Sequence, residues 1–463
     1  MVLKTSRNKL FPIAYALISS LLLYLVQPGD ADGWSLSLVY VLVQCLGIIL
    51  VWHISNKKLG IFIMFQLTFS LFIGGRFWAY LLNPHLDIDI FEPTFFFDYI
   101  VPPNRKIEIF SYVLLFIVFS ILGYSLVRGR NRFKYILNLK VSEDSVRCIS
   151  KVGNILFPVF AIYTLYSTFD TLMNAMAGGG YLLLYSTQAD EYSAGGSFLP
   201  NLILFFFSFA FAYGDKQLQK RYLILYLFNS VLRLLIGTRS AIGAVFLFII
   251  WLYSLKHKIS LLKLFSCIIL ALVLLLFLFS FSVRASEDGS AFSLDTLLTS
   301  VSMFLYTQGI SLMVFDASRL IDEYPFIGYI QTFIPGSSWF WGLLGNSLQP
   351  QDILFSYHMC YELNPALFVN GNGLGWSILS DAYVFSFGCI FVFVVLAFLI
   401  GHLFGLLEVL FEKYAFYKYI VFYIFMACML IPRGGGLLNL LTYGIVYLCL
   451  FRLLTSIKKK CYA

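Results

Sequence analysis

Apolar runs that suit helices crossing a lipid bilayer follow one another along almost the whole chain. They constrain its fold more than any other feature. A transmembrane helix needs about 20 mostly apolar residues, and twelve runs of this kind are predicted as spans, several of them short. They cover residues 10–27, 34–55, 59–82, 107–127, 152–173, 198–213, 222–236, 240–256, 262–282, 385–407, 419–431 and 438–455. The sequence therefore predicts an all-α polytopic membrane protein that forms one integral membrane domain over residues 1–463.

The composition agrees with a lipid environment. Of the 463 residues, 60% are hydrophobic and only 12% are charged, whereas a soluble protein carries about 25% charged residues. So few charges cannot cover a water-facing surface. This excludes a soluble enzyme, a nucleic-acid-binding module and a disordered regulator, and it predicts membrane lipids rather than nucleic acid as partners.

Basic residues are concentrated in alternate loops. With loops on alternating sides, 24 of the 32 Lys and Arg lie on the side of the N-terminus, and 19 of the 24 Asp and Glu lie on the other side. Because an excess of Lys and Arg marks cytoplasmic loops, both termini are predicted to be cytoplasmic. The two large outer segments are then the loops 83–106 and 283–373.

The second outer loop contains an apolar stretch at residues 294–315 that makes a poor span. Its leucines share one helical face with Val301 and Phe304, but Gln308, several Ser and Thr, and the flanking Asp295 and Asp316 are polar. We predict an amphipathic helix that lies on, or dips into, the outer membrane surface.

Arginine and lysine are distributed differently between the two sides. The inner side holds 17 Lys and seven Arg, and the outer side holds one Lys and seven Arg. Placing an Arg near the centre of a span costs about 2.5–3.5 kcal/mol on insertion scales, and the guanidinium fork suits phosphate oxygens. We therefore predict that some of these arginines bind an anion at the outer leaflet: Arg76, Arg233, Arg239, Arg284, Arg319 and Arg433. The alternative is structural, with each Arg paired to an outer acid or extended to the interface.

Two of these arginines have the strongest local context. Arg239 follows Gly237-Thr238 at the start of an apolar run, where backbone N–H groups of a helix can also face an anion. Arg433 stands between Pro432 and the glycines 434–436, where the backbone can approach a ligand closely.

Candidates for proton transfer lie in the second half of the chain. Asp381 is expected about one turn into a helix, where it serves as a general base or simply favours the helix dipole. His358 and Glu362 are spaced i, i+4 in the large outer loop. Without further His or Cys ligands nearby, no metal site is predicted, and no cofactor motif is present.

Three short motifs together resemble a known family. They are Gly237-Thr238-Arg239-Ser240 before a long outer loop, Gly373-Leu374-Gly375-Trp376-Ser377 after it, and Asp381-Ala382-Tyr383 with Phe387-Gly388. This pattern, on a plan of about twelve spans with large outer loops, resembles the Wzy-type O-antigen polymerases. Asp381 stands where Glu is expected in that motif.

The resemblance implies a GT-C-like glycosyltransferase at the periplasmic face of a bacterial inner membrane. Such an enzyme transfers a growing glycan from undecaprenyl diphosphate to a lipid-linked repeat unit, without metal or cofactor. A chain-length regulator is a possible partner. The arginines would then hold the lipid diphosphate, and a base would be Asp381, His358 or Glu362. Sugar-binding candidates are Trp339, Trp341, Tyr357, Asn370 and Asn372, although the aromatic residues equally suit an interfacial belt.

Three other functions remain open from the residues alone. A flippase for the same lipid-linked oligosaccharide would carry cationic residues on both sides of a central cavity. An O-antigen ligase shares the architecture and the diphosphate leaving group. A non-catalytic membrane scaffold would tolerate the loss of Arg239.

Overall fold

The structure is a computed structural model that describes most of the chain. The described residues are 2–26, 32–86, 88–93, 100–128, 143–179, 198–279, 281–282, 297–334, 337–345, 348–369, 373–414, 417–428, 430–438, 442, 444–446 and 449. Within them the chain is helical between short turns.

The helices before the large outer segment follow the predicted spans closely. They are α1 (Val2–Val26), α2 (Gly33–Ile54), α3 (Ile61–Phe72), α4 (Gly75–Leu82), α5 (Pro103–Arg128), α6 (Glu143–Asn174), α7 (Phe198–Tyr213), α8 (Lys216–Ile236), α9 (Arg239–Lys256) and α10 (Leu261–Phe279). A π-helical turn, Ala175–Gly179, continues α6.

Shorter helices occupy the region that follows, before the chain returns to long ones. They are α11 (Leu297–Gln308), α12 (Ser311–Ser318), α13 (Phe326–Phe333), α14 (Ser337–Leu343), α15 (Pro350–Ile353), α16 (Phe355–Leu363), α17 (Pro365–Val369), α18 (Ile378–Phe385), α19 (Ile390–Lys413), α20 (Lys418–Cys428) and α21 (Ile431–Gly434). The last predicted span, 438–455, lies mostly outside the described residues.

Several helices meet the length and apolarity that a membrane crossing requires. In the described residues there are six: α2, α5, Ser150–Ala177, α9, Leu297–Ser318 and α19. The pair α3 and α4, bent by 64°, makes a seventh if it counts as one span. These helices support an all-α, multi-pass membrane protein, whereas the predicted number of twelve spans is not confirmed.

Glycines allow α5 and α19 to pack closely against each other. Gly401 and Gly405 lie one turn apart on α19 and face the backbone of Ser120 and Tyr124, and Gly123 of α5 faces Phe398 in return. Small residues let helix backbones approach in lipid, where apolar burial gives no driving force between helices. This pair therefore depends on backbone contact.

A buried carboxylate joins three elements at the Lys413 end of α19. Glu408 accepts hydrogen bonds from the Phe62 N–H at 3.0 Å and the Tyr124 hydroxyl at 2.6 Å. Arg128 lies 3.5 Å from Glu408 and 2.8 Å from Glu412. The sequence analysis did not identify this cluster, which satisfies a charge that would otherwise be costly to bury.

Residues 297–315, the described part of the stretch predicted to lie on the membrane surface, form α11 and most of α12. Together the two helices are long and apolar enough to cross a membrane, and the predicted surface location stays a prediction. All eight residues of α12 are buried, and α11 crosses α4 where Gly75 and Gly309 touch backbone to backbone. The buried face of α11 carries polar Ser302 and Gln308 as well as Phe304, whereas Leu298 is exposed.

Replacing Gly401 with Ala should destabilise the protein, because the added methyl group would collide with the Ser120 carbonyl. Overpacking of this kind costs about 1–3 kcal/mol. The matched control is Gly342→Ala on α14, where nothing lies within 4 Å of the added carbon. Thermal unfolding of the two purified variants in the same detergent measures the difference, and equal midpoints would contradict the packing.

Candidate active site

The turn between α8 and α9 leaves the start of α9 without a side-chain cap. Gly237 adopts φ +130° and donates its N–H to the Arg233 carbonyl at 3.2 Å. The Thr238 hydroxyl donates to the same carbonyl at 2.6 Å, so Thr238 closes α8. The Thr238 side chain makes no hydrogen bond to the N–H groups of α9.

A cavity of about 60 Å³ lies at this helix start, enough for several water molecules. Its polar lining comes from Arg239, Ser240, Gln308 and Thr68, and its apolar lining from Leu71, Phe72, Gly243, Ala244, Leu247, Phe304 and Leu430. The lining residues of α9 recur at the spacing of one helical face. The cavity is therefore polar where α9 begins and apolar further along α9.

Of the two arginines with the strongest sequence context, Arg239 lines this cavity and Arg433 contacts two of its lining residues. The guanidinium carbon of Arg239 lies 5.4 Å from the centre of the Phe304 ring, and that of Arg433 lies 5.8 Å from the Phe72 ring. Both rings line the cavity. Arg433 Nη1 also donates to Gln308 Oε1 at 3.2 Å. Aromatic faces and a neutral amide orient these guanidinium groups and keep their positive charge.

Gln308 is a site residue that sequence reasoning missed. In the sequence, the polar Gln308 was a reason to regard residues 294–315 as a poor membrane span. A polar residue in an apolar helix is, however, also a signal of function. The side chain is 8% exposed and joins Arg433 to the cavity.

Asp381 fixes the backbone that follows Arg433. Its Oδ1 accepts a hydrogen bond from Trp376 Nε1 at 2.7 Å, and its Oδ2 accepts one from the Gly436 N–H at 2.6 Å. Gly435 has φ +63°, and a side chain on it would collide with Trp376 and Asp381. Only glycine combines this conformation with such a close approach, so the glycine run is a fixed turn held on Asp381.

Burial raises the pKa of the Asp381 carboxyl to about 6, and the hydrogen bonds from Trp376 and Gly436 oppose this effect only in part. The neutral form is thus more favoured in the folded protein than in the unfolded chain, where the pKa is about 4. The contribution of this group to stability is present below about pH 4 and is lost as the pH rises through about 6.

The other candidate bases lie on α16, beyond a layer of aromatic rings. His358 Nε2 is 3.1 Å from the Glu323 carbonyl oxygen, and the His358 ring lies 5.7 Å from that of Tyr324. Tyr324 in turn lies 5.7 Å from Trp376. Glu362 is exposed. The structure thus connects His358 to Asp381 through two rings, without direct contact.

Two of the predicted anion-binding arginines have partners inside the protein. Arg76 is 1% exposed and donates to the carbonyls of Ile90 and Glu92 at 2.9 and 2.6 Å, which holds residues 90–92 in place. Arg319 pairs with Glu108. Both arginines therefore have a structural role, which was the alternative to anion binding.

The remaining predicted residues are not brought to the cavity. Arg233 is exposed at the end of α8, Trp341 is half-buried, and Tyr357 is buried beside Gly373. Arg284, Asn370, Asn372 and the side chain of Trp339 lie outside the described residues. Among the described residues no group of three or more His, Cys, Asp or Glu is arranged to hold a metal ion.

The Asp381 carboxyl should titrate near pH 6, well above an exposed aspartate, because it is buried against Trp376. Infrared difference spectroscopy of the membrane-reconstituted protein measures this as a protonated carboxyl band that disappears as the pH rises. Asp381→Asn should remove the band, and Glu362→Gln should leave it unchanged. A wild-type band that titrates near pH 4 would refute the assignment.

The comparisons with known proteins agree with the motifs. A family model described as O-antigen polysaccharide polymerase Wzy matches residues 10–460, which is nearly the whole chain. No curated protein and no solved structure gives a significant match. The extent of the family match confirms the resemblance seen in the sequence: the chain belongs to the O-antigen polysaccharide polymerase Wzy family.

Proposed function

We propose that the protein transfers a growing glycan from undecaprenyl diphosphate to a lipid-linked repeat unit, at the periplasmic face of the bacterial inner membrane. Family membership supports a polymerase of the glycosyltransferase type. The observation that carries the finer proposal is that Arg239 lines a mostly apolar cavity at the start of α9, while Arg433 contacts Phe72 and Gln308 of the same lining.

The arrangement suits a lipid diphosphate as leaving group. Negative charge develops on the diphosphate when its bond to the glycan breaks, and fixed cationic groups stabilise that charge. The rings of Phe304 and Phe72 orient the two guanidinium groups before substrate arrives, so little reorganisation is needed.

The apolar part of the cavity suits the first segment of the hydrocarbon chain. Ser240, Gly243, Ala244 and Leu247 lie at i, i+3, i+4 and i+7 along α9, and they face Leu71 and Phe72 of α3. From residue 239 to residue 247 an α-helix rises about 12 Å. A charged head at Arg239 and a tail along α9 would match this order of lining residues.

We assign the proton-accepting and the positioning roles to different residues. Both oxygens of Asp381 accept hydrogen bonds from the protein, so Asp381 acts as a positioning residue that holds the turn after Arg433. The proton of the attacking sugar hydroxyl is then accepted by His358 or Glu362 on α16. No metal or nucleotide sugar enters the proposed reaction.

Arg239→Ala and Arg433→Ala should each slow polymerisation by about 10²–10³-fold, the effect of removing one donor to a developing oxyanion. The surface glycan should then shift from a ladder to a single repeat, as seen on a lipopolysaccharide gel. Arg433→Lys should also be impaired, since lysine lacks the planar fork. The control is Arg221→Ala, in the first half of α8 and away from the turn that leads to Arg239. Long chains persisting in both alanine variants would contradict the clamp.

Deletion of the gene tests the reaction class separately. A polymerase defect should leave a lipopolysaccharide core that carries one repeat unit, because transport and ligation continue. A complete loss of surface repeats would instead indicate a ligase or a flippase. The wild-type gene supplied in trans should restore the ladder and serves as the control.

A further inference from the structure

The helix pair α13 and α14 exposes an unusually apolar surface. Phe326 is 74% exposed and Phe333 52%, and on the second helix Phe340 is 60% exposed and Leu343 65%. Ile334 and Leu344 are exposed as well. A contiguous surface of this kind marks contact with a membrane or another protein.

The sequence of this region contains no charge. Between Glu323 and Asp352 there is no Asp, Glu, Lys or Arg, although 19 acids fall in the outer segments as a whole. A loop that remains in water can carry charged residues. A segment that lies in lipid is expected to lack them, because a charge in lipid is costly.

The apolar surface continues onto a helix that crosses the membrane. The Tyr329 ring stacks on Phe387 at 5.8 Å, and Phe387 is 82% exposed at the turn before α19. At the start of α19, Phe391 is 73% exposed. This continuity favours the bilayer over a protein partner, because the exposed face of a membrane span already lies in lipid.

The length of the two helices decides how deep they reach. α13 has eight residues and α14 has seven, and these rise about 12 and 10 Å. A hydrocarbon core is about 30 Å thick, so neither helix crosses it. The pair fits within one leaflet.

We propose that residues 326–334 and 337–344 insert into the leaflet at the Ile390 end of α19 and are not part of a loop in water. The opposite side of α13 packs on the protein: Gly328 lies against Phe355, and the rings of Tyr329 and Phe355 are 5.0 Å apart. Phe355 lies 5.7 Å from Trp376. The inserted pair therefore holds Trp376, and with it Asp381, at the level of the lipid head groups.

Spin labels measure the insertion directly. In a variant with all eight Cys replaced by Ser, shown to retain the gel ladder, single Cys residues replace Phe340, Leu344, Phe391 or Asp352. Each labelled protein is placed, one copy per particle, in nanodiscs of phosphatidylethanolamine and phosphatidylglycerol. Collision rates with oxygen and with a water-soluble nickel chelate are then compared.

Labels at 340 and 344 should favour oxygen over nickel several-fold more than the label at 352, and should match the label at 391. Nickel accessibility at 340 and 344 equal to that at 352 would show a loop in water and overturn the proposal. Protection from both reagents would show a protein contact and would also overturn it.

Discussion

A guanidinium group surrounded by lipid-facing helices must be stabilised by its own protein, and an aromatic ring contributes to this at each of four arginines. Arg76 lies 4.4 Å over Tyr306 and Arg319 lies 4.9 Å over Tyr112, and both also reach carbonyl or carboxylate oxygens. Arg239 and Arg433 lie over Phe304 and Phe72, and Arg433 also donates to the amide oxygen of Gln308. Because a ring attracts a cation without neutralising it, these contacts position the guanidinium groups and preserve their positive charge.

The scaffold that holds these side chains depends on backbone contact between helices. Gly75 against Gly309 brings α11, with Phe304 and Gln308, onto the pair α3 and α4. Phe72 lies at the end of α3, just before the 64° bend to α4. The cavity thus lies near the bend between α3 and α4, where α11 packs closely against α4. A straight helix in place of α3 and α4 would not bend at Phe72.

The sequence predicted the helical class and most helix positions, because apolar run length is a direct consequence of bilayer thickness. It also identified Arg239 and Arg433, since a charge beside glycines in an apolar context is unusual. It did not separate them from Arg76 and Arg319. Arg319 pairs with Glu108 from a distant part of the chain, and Arg76 donates to the backbone carbonyls of Ile90 and Glu92, which no residue type marks. Periodicity also shows that residues 297–308 form a helix with two faces, but it does not show which face is packed. The roles of Gln308 and Glu408 depend on contacts across more than a hundred residues, which no local pattern contains.

The two hydrogen bonds on Asp381 connect two separate parts of the protein. One leads to Trp376 and the aromatic layer of Tyr324 and Phe355, and the other leads to the turn that follows Arg433. A sugar that displaced the indole of Trp376 would also disturb the turn. Linkage of this kind is reciprocal, so a ligand at the proposed anion site and a ligand at the aromatic layer would change each other's affinity by the same factor. In the proposed reaction, a single carboxyl group would thus couple the binding of donor and acceptor.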